Sequence, residues 1–101
     1  AKEVRFPIEG ENFGEVGEKV LEDLKTWAED RAEFGVSVVE PNYEGVRLNF
    51  RSEGLSSWCL LRKSLHDPIL PLNVEVTEGE CVVILEEIKA FLRNYDQVVV
   101  K

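Results

Sequence analysis

The chain has no methionine, one histidine, two cysteines, four prolines and no long apolar run. Each scarcity removes a class of protein. No stretch approaches the ~20 apolar residues that cross a bilayer as a helix, and the N-terminus lacks the apolar centre of a secretory signal. Cys59 and Cys81 stand far apart, and neither has a second Cys or a His at metal-ligand spacing. Both read as small buried hydrophobes, one in an apolar strand and one in the first turn of a helix, which places the chain in a reducing, soluble compartment. Cations are outnumbered 12 to 20, for a net charge of −8. A protein that neutralises many phosphates needs a basic face, so neither nucleic acid nor an anionic membrane is expected as a partner. The missing methionine fits a segment of a larger protein, or an initiator removed before Ala1.

What remains is enough for one folded domain. At 101 residues, 44% apolar and 32% charged, the chain can bury a single core and no second one. Over residues 2–9, Val4, Phe6 and Ile8 alternate with Arg5, Pro7 and Glu9, the period of a half-buried strand, and Pro7 puts it at an edge. Asn12 with Glu15 resembles a capping box. Phe13, Val16, Val20, Leu24, Trp27, Ala28 and Arg31 then recur at helical spacing, predicting a helix over 13–34 that stops at Gly35. Trp27 belongs to the core stripe, and Glu15, Glu18, Glu22, Asp23, Glu29 and Asp30 form a solvated face without a metal.

Residues 36–39 form a short extended piece, and Pro41-Asn42-Tyr43-Glu44-Gly45 is turn chemistry. Val46, Leu48 and Phe50 alternate with Arg47, Asn49 and Arg51 in a second strand. A loose connection over 52–57 leads into a third, Trp58-Cys59-Leu60-Leu61, which delivers Arg62 at its end. In a fourth, Leu70, Leu72, Val74 and Val76 face inward and Pro71, Asn73 and Glu75 outward. Thr77 with Glu80 repeats the capping pattern, and Val82, Leu85, Ile88, Leu92 and Tyr95 predict a second helix over 79–95. Val98-Val99-Val100 can add a short edge strand or fray as a tail. The order β-α-β-β-β-α gives an α+β domain, with a mostly antiparallel four-stranded sheet, both helices on one face and a largely polar second face.

The chemistry concentrates in Arg62-Lys63-Ser64-Leu65-His66-Asp67-Pro68. A guanidinium meets phosphate oxygens bidentately, a hydroxyl and loop N–H groups donate to the remaining oxygens, and successive N–H groups around a tight turn form an anion nest. The same residues also read as an ordinary hairpin with Arg62 and Lys63 solvated at a strand end. Lys63 should point to the opposite face from Arg62.

The run Trp58-Cys59-Leu60-Leu61-Arg62-Lys63-Ser64-Leu65-His66-Asp67-Pro68-Ile69-Leu70-Pro71-Leu72-Asn73-Val74-Glu75 resembles the phosphate-binding loop and flanking strands of the C-terminal domain of the alpha-D-phosphohexomutases. Asn42-Tyr43-Glu44-Gly45-Val46-Arg47 is similar to the start of a strand in that domain. With a helix on either side, the similarity spans most of the chain. It implies that residues 1–101 are the fourth, TBP-like domain of such an enzyme. That domain grips the phosphate not being transferred while a phosphoryl group moves between the 1- and 6-positions of a glucose or mannose phosphate. On that resemblance Arg62 and Ser64 take the places of the family's phosphate-gripping arginine and serine. His66 stands where the commonest loop has a threonine, Leu65 stands where it has glycine, and Lys63 is a further candidate phosphate contact.

The phosphoserine, the Mg²⁺ loop and the sugar-reading loop of the family are not in this sequence, so the resemblance implies no catalytic residue or metal ligand here. Mg²⁺, catalysis and the other domains belong to a cytoplasmic parent enzyme. The alternative is a stand-alone phosphate-sensing or protein-interaction module.

Overall fold

A computed structural model of the chain describes residues 2–40 and 44–101. Its elements run β1 (Lys2–Pro7), α1 (Phe13–Glu29), a 3₁₀ turn (Ala32–Phe34), β2 (Val36–Val39), β3 (Gly45–Ser52), β4 (Leu55–Arg62), β5 (Ile69–Glu78) and α2 (Cys81–Leu92). The strands form one antiparallel sheet in the order β1-β5-β4-β3-β2. This is the expected α+β class with five strands rather than four. The extra strand is Val36–Val39, whose four residues pair fully with β3, from Val36↔Phe50 to Val39↔Arg47.

Alternation decides which face is buried. Phe6, Val46, Leu48, Phe50, Cys59, Leu61, Leu70, Leu72 and Val74 all point to one side and are buried. Against them pack Val20, Leu24 and Ala28 of α1 and Ile84, Leu85, Ile88, Phe91 and Leu92 of α2. Leu61 and Leu72, opposite each other on β4 and β5, are fully enclosed. Truncating either to alanine in so dense a core costs about 2–5 kcal/mol. Between the helices an aromatic series runs from Trp27 to Phe91 (5.8 Å) and from Phe91 to Tyr95 (5.6 Å), and the Tyr95 hydroxyl donates to Asp23 on α1. Trp27 is therefore part of the packing between the helices, as its place on the apolar stripe predicts.

Several local expectations give way to longer-range contacts. Helix α1 stops at Glu29 rather than 34, because the chain tightens into the 3₁₀ turn before Gly35, whose φ is +85°. A Cβ on Gly35 would stand 1.8 Å from the Arg51 carbonyl oxygen, so the close approach of β2 to β3 also requires glycine. Neither predicted capping box forms. Asn12 makes no capping bond, and its Oδ1 accepts from Gln97 Nε2 at 2.8 Å instead. Thr77 lies within β5, in the irregular stretch opposite Ser56 and Ser57, and its hydroxyl donates to the Ser56 carbonyl; the residue before α2 is Glu80.

The connection expected to be loose over 52–57 is a tight turn at Glu53-Gly54, with Ser56 and Ser57 already in the ladder and the Ser57 hydroxyl donating to the Glu75 carbonyl at 2.7 Å. The tail bridges to Ile8 at Val98, and Val99 N–H donates to the Pro7 carbonyl, so residues 98–99 run along β1. Of the turn expected over 41–45, Pro41, Asn42 and Tyr43 lie outside the described residues.

Candidate functional site

The second face of the sheet carries the outward residues of the same strands: Arg47 and Asn49 on β3, Trp58, Leu60 and Arg62 on β4, Pro71, Asn73 and Glu75 on β5. No helix covers it. The Arg47 guanidinium stacks over the Trp58 ring at 4.1 Å from its centroid, a cation–π contact that holds both side chains against the sheet. Arg62 is the last residue of β4, half-buried, and pairs across the ladder with Gly45. A Cβ on Gly45 would stand 2.2 Å from the Leu61 carbonyl oxygen, so the strands meet here with no room for a side chain. On its other side, the β4–β5 ladder ends at Leu61↔Leu72. Pro71 comes next on β5 and has no N–H to continue it. Arg62 therefore sits where one ladder closes without a side chain and the other opens into a loop.

That loop, residues 63–68, is tied down by several hydrogen bonds, among them Ile69 N–H to the Asp67 carbonyl at 2.8 Å. Ser64 N–H donates to the Ile69 carbonyl at 3.4 Å, Asp67 N–H donates to Ser64 Oγ at 3.2 Å, and the Pro68 carbonyl accepts from Ile8 N–H on the β1 side at 2.7 Å. Lys63 supplies another anchor. Its side chain crosses to the helix face, lies over Gly17 and ion-pairs with Glu18 at 2.5 Å. Arg62 and Lys63 thus part to opposite faces, as strand alternation requires. The sequence treats Glu18 as part of a solvated acidic face; although 63% exposed, it is the tether of this loop.

Among the described residues nothing forms an ion pair or side-chain hydrogen bond with Arg62. The Leu65 and His66 N–H groups likewise donate to no described residue, and Leu65, His66, Asp67 and Pro68 are exposed. No non-glycine residue described here has positive φ, so Leu65 follows an ordinary backbone path without the strain a left-handed turn would impose. The structure thus brings together on one connection a guanidinium, a hydroxyl, two successive unbonded N–H groups and an imidazole, with Lys63 set apart. Asp67 is the one acid among residues 62–68.

Sequence reasoning missed Gly45 as a spacing residue and the Arg47–Trp58 stack beside Arg62. The signal for the stack was present, since both residues fall at outward positions of adjacent strands, but register was needed to bring them together. Clefts of about 300–500 Å³ lie elsewhere on the molecule, and the loop itself is an open surface feature. Among the described residues no group of three His, Cys, Asp or Glu side chains could hold a metal ion, and no helix is long and apolar enough to cross a membrane. No protein-family model, curated protein or solved structure matches this chain.

Proposed function

We propose that the chain is the C-terminal domain of a cytoplasmic phosphohexomutase, and that the loop at residues 62–68 holds the phosphate of a glucose or mannose phosphate that is not being transferred. The observation that carries this reading is the Arg62 guanidinium. It opens an anchored turn and, among the described residues, pairs with no carboxylate; further along the same connection the Leu65 and His66 N–H groups donate to no described residue. A phosphate dianion supplies the missing charge and acceptors. Arg62 grips it, the Ser64 hydroxyl and the two N–H groups donate to it, and His66 reaches it from the exposed side of the turn.

Holding a distal phosphate fixes the far end of the substrate and uses binding energy for orientation. Phosphoryl transfer, Mg²⁺ and sugar recognition are then supplied by other domains of the parent protein. The openness of the loop suits such a division, since an oxyanion here is enclosed only when another domain closes over it.

Charge-assisted hydrogen bonds contribute roughly 1.5–3 kcal/mol each, and immobilising a small ligand offsets much of that. The chain alone is expected to bind glucose 1-phosphate with a Kd in the millimolar range and to convert none of it. Amide shifts in an NMR titration should concentrate at residues 62–68 and the adjoining ends of β4 and β5. Shifts centred elsewhere, or turnover by the lone chain, contradict the proposal.

A further inference from the structure

β1 stands at one end of the sheet order, with β5 on one side and no other named strand on the other. The tail reaches that outer edge only near the end of β1. Val99 N–H donates to the Pro7 carbonyl at 2.8 Å and Glu9 N–H to the Gln97 carbonyl at 2.7 Å, flanking the bridge between Ile8 and Val98. Pro7 has no N–H with which to bind the Val99 carbonyl in return, and the pairing goes no further. Successive residues of a strand aim their N–H and C=O groups to opposite sides, so Glu3 and Arg5 share the outer edge with Pro7. Among the described residues neither of their N–H groups donates to a partner there. Along this edge, between β1 and α2, runs a groove of about 410 Å³. Its charged lining residues are Lys2, Arg5, Lys89 and Lys101, with no acid among them, over apolar walls that include Leu85 and Val99. In a chain of net charge −8 this is a local reversal of sign. Arg5 pairs with Glu3 at 3.1 Å, whereas Lys2, Lys89 and Lys101 pair with no carboxylate among the described residues.

We infer that the outer edge of β1 receives an acidic segment of a partner protein, which adds in extended form as a sixth strand beside residues 2–6. Two features select this occupant. The unused N–H and C=O groups of Glu3 and Arg5 recur at strand spacing, which an extended backbone matches and a compact anion does not. Cations also flank the edge on both sides. Lys2 has the parity of Val4 and of the buried Phe6 and so lies toward the helices, as Lys89 of α2 does, while Arg5 lies toward the open face. Acidic side chains of an added strand therefore meet a cation whichever face they take. The same charges act against pairing between two copies of β1, because like charges would then stand opposite each other. What they disfavour in a second copy they favour in a strand of opposite sign. This edge is distinct from the loop at 62–68, and the inference does not rest on the phosphate reading.

NMR titration of the full chain with a capped hexapeptide of alternating glutamate and valine, and with its lysine–valine counterpart, tests this. The acidic peptide should shift the amides of residues 2–6 and of α2 around Lys89, and should slow hydrogen exchange at the Glu3 and Arg5 N–H groups about tenfold or more. The basic peptide should do neither. Lys2→Glu combined with Lys89→Glu should weaken binding of the acidic peptide about tenfold or more. Lys2→Glu alone, at an exposed strand end that leaves the core intact, should weaken it about threefold and guards against a folding defect in the double variant. Absence of binding by the acidic peptide at millimolar concentration overturns the proposal, as does equal binding of the two peptides or an affinity indifferent to both variants. Binding that leaves exchange at Glu3 and Arg5 unchanged also overturns it, since the groove would then hold anions without adding a strand.

Discussion

Gly17→Ala exposes how the loop is anchored. In an ordinary mid-helix site, replacing glycine by alanine stabilises by about 1 kcal/mol, because the unfolded backbone has less freedom to lose. At Gly17 the added Cβ would stand 2.9 Å from Lys63 Cδ and 3.0 Å from Cγ, so the lysine stem has to leave its seat. What is lost with it has two parts. The ion pair to Glu18 has one well-exposed partner and contributes about 0.2–1 kcal/mol. The buried part of the stem contributes on the order of 1 kcal/mol, one or two CH₂ groups at about 0.8 each.

These losses cancel or slightly exceed the helix gain, so Gly17→Ala alone should change stability by no more than about 1 kcal/mol, toward destabilisation. In a Lys63→Ala background, itself about 1–2 kcal/mol less stable, there is no stem to displace, and the same substitution should recover its full stabilisation of about 1 kcal/mol. The cycle thus carries a coupling of about 1–2 kcal/mol between α1 and the loop. Urea midpoints at unchanged m-value measure it. Equal stabilisation by Gly17→Ala in both backgrounds would show that Lys63 does not rest on the helix.

Other expectations follow from the same contacts. Gly45→Ala should cost about 2 kcal/mol or more in a urea titration, since its methyl group meets the Leu61 carbonyl oxygen in the ladder rather than a movable side chain. Of the two thiols, Cys81 should react with a maleimide in the native state while Cys59, fully enclosed and pushed up to about 12 by burial, reacts only on unfolding. The Tyr95 hydrogen bond, with a smaller contribution from Lys19, holds the Asp23 carboxyl below its usual 3.8 against the opposing effect of burial. Its contribution to stability is present above that pH and lost as pH falls through the lowered value. Burial first, then Asp23, raises Tyr95 above its usual 10.0, and Cys59 rises from 9.0. Their contributions are complete below those usual values and are lost as pH climbs through the raised ones. Tyr95→Phe should flatten the acid limb of stability against pH and remove part of the alkaline limb.

Much of this architecture was legible from periodicity. The inward sets Val46-Leu48-Phe50 and Leu70-Leu72-Val74 are clean alternations, and the stripe from Val20 through Leu24 to Ala28 has the helical period, so the class, one buried face and the core followed. What the chain kept back depends on partners distant in sequence. Val36–Val39 is too short to declare itself a strand, and β3 makes it one. Asn12 and Thr77 have the residue types of caps, yet Gln97 claims one and the β4–β5 ladder claims the other.

Within the candidate site, Arg62, Ser64 and His66 were legible as one loop because they are contiguous. Alternation also foretold that Lys63 turns away. Its tether at Glu18 was hidden, since nothing local distinguishes that glutamate from its neighbours on the helix surface, and only the glycine one position before it hints that something crosses there.

Arg62 is the central phosphate contact proposed for this loop, and the affinity for glucose 1-phosphate of Arg62→Ala, measured by NMR beside that of Lys63→Met, tests that role directly. Loss of one charge-assisted contact predicts a fall of about tenfold or more for Arg62→Ala. Lys63→Met keeps the stem over Gly17 and removes only the charge held by Glu18, so its affinity should stay close to wild type. Equal affinities for wild type and Arg62→Ala, or a larger loss in Lys63→Met, would contradict the assignment of the phosphate to the open face of this loop.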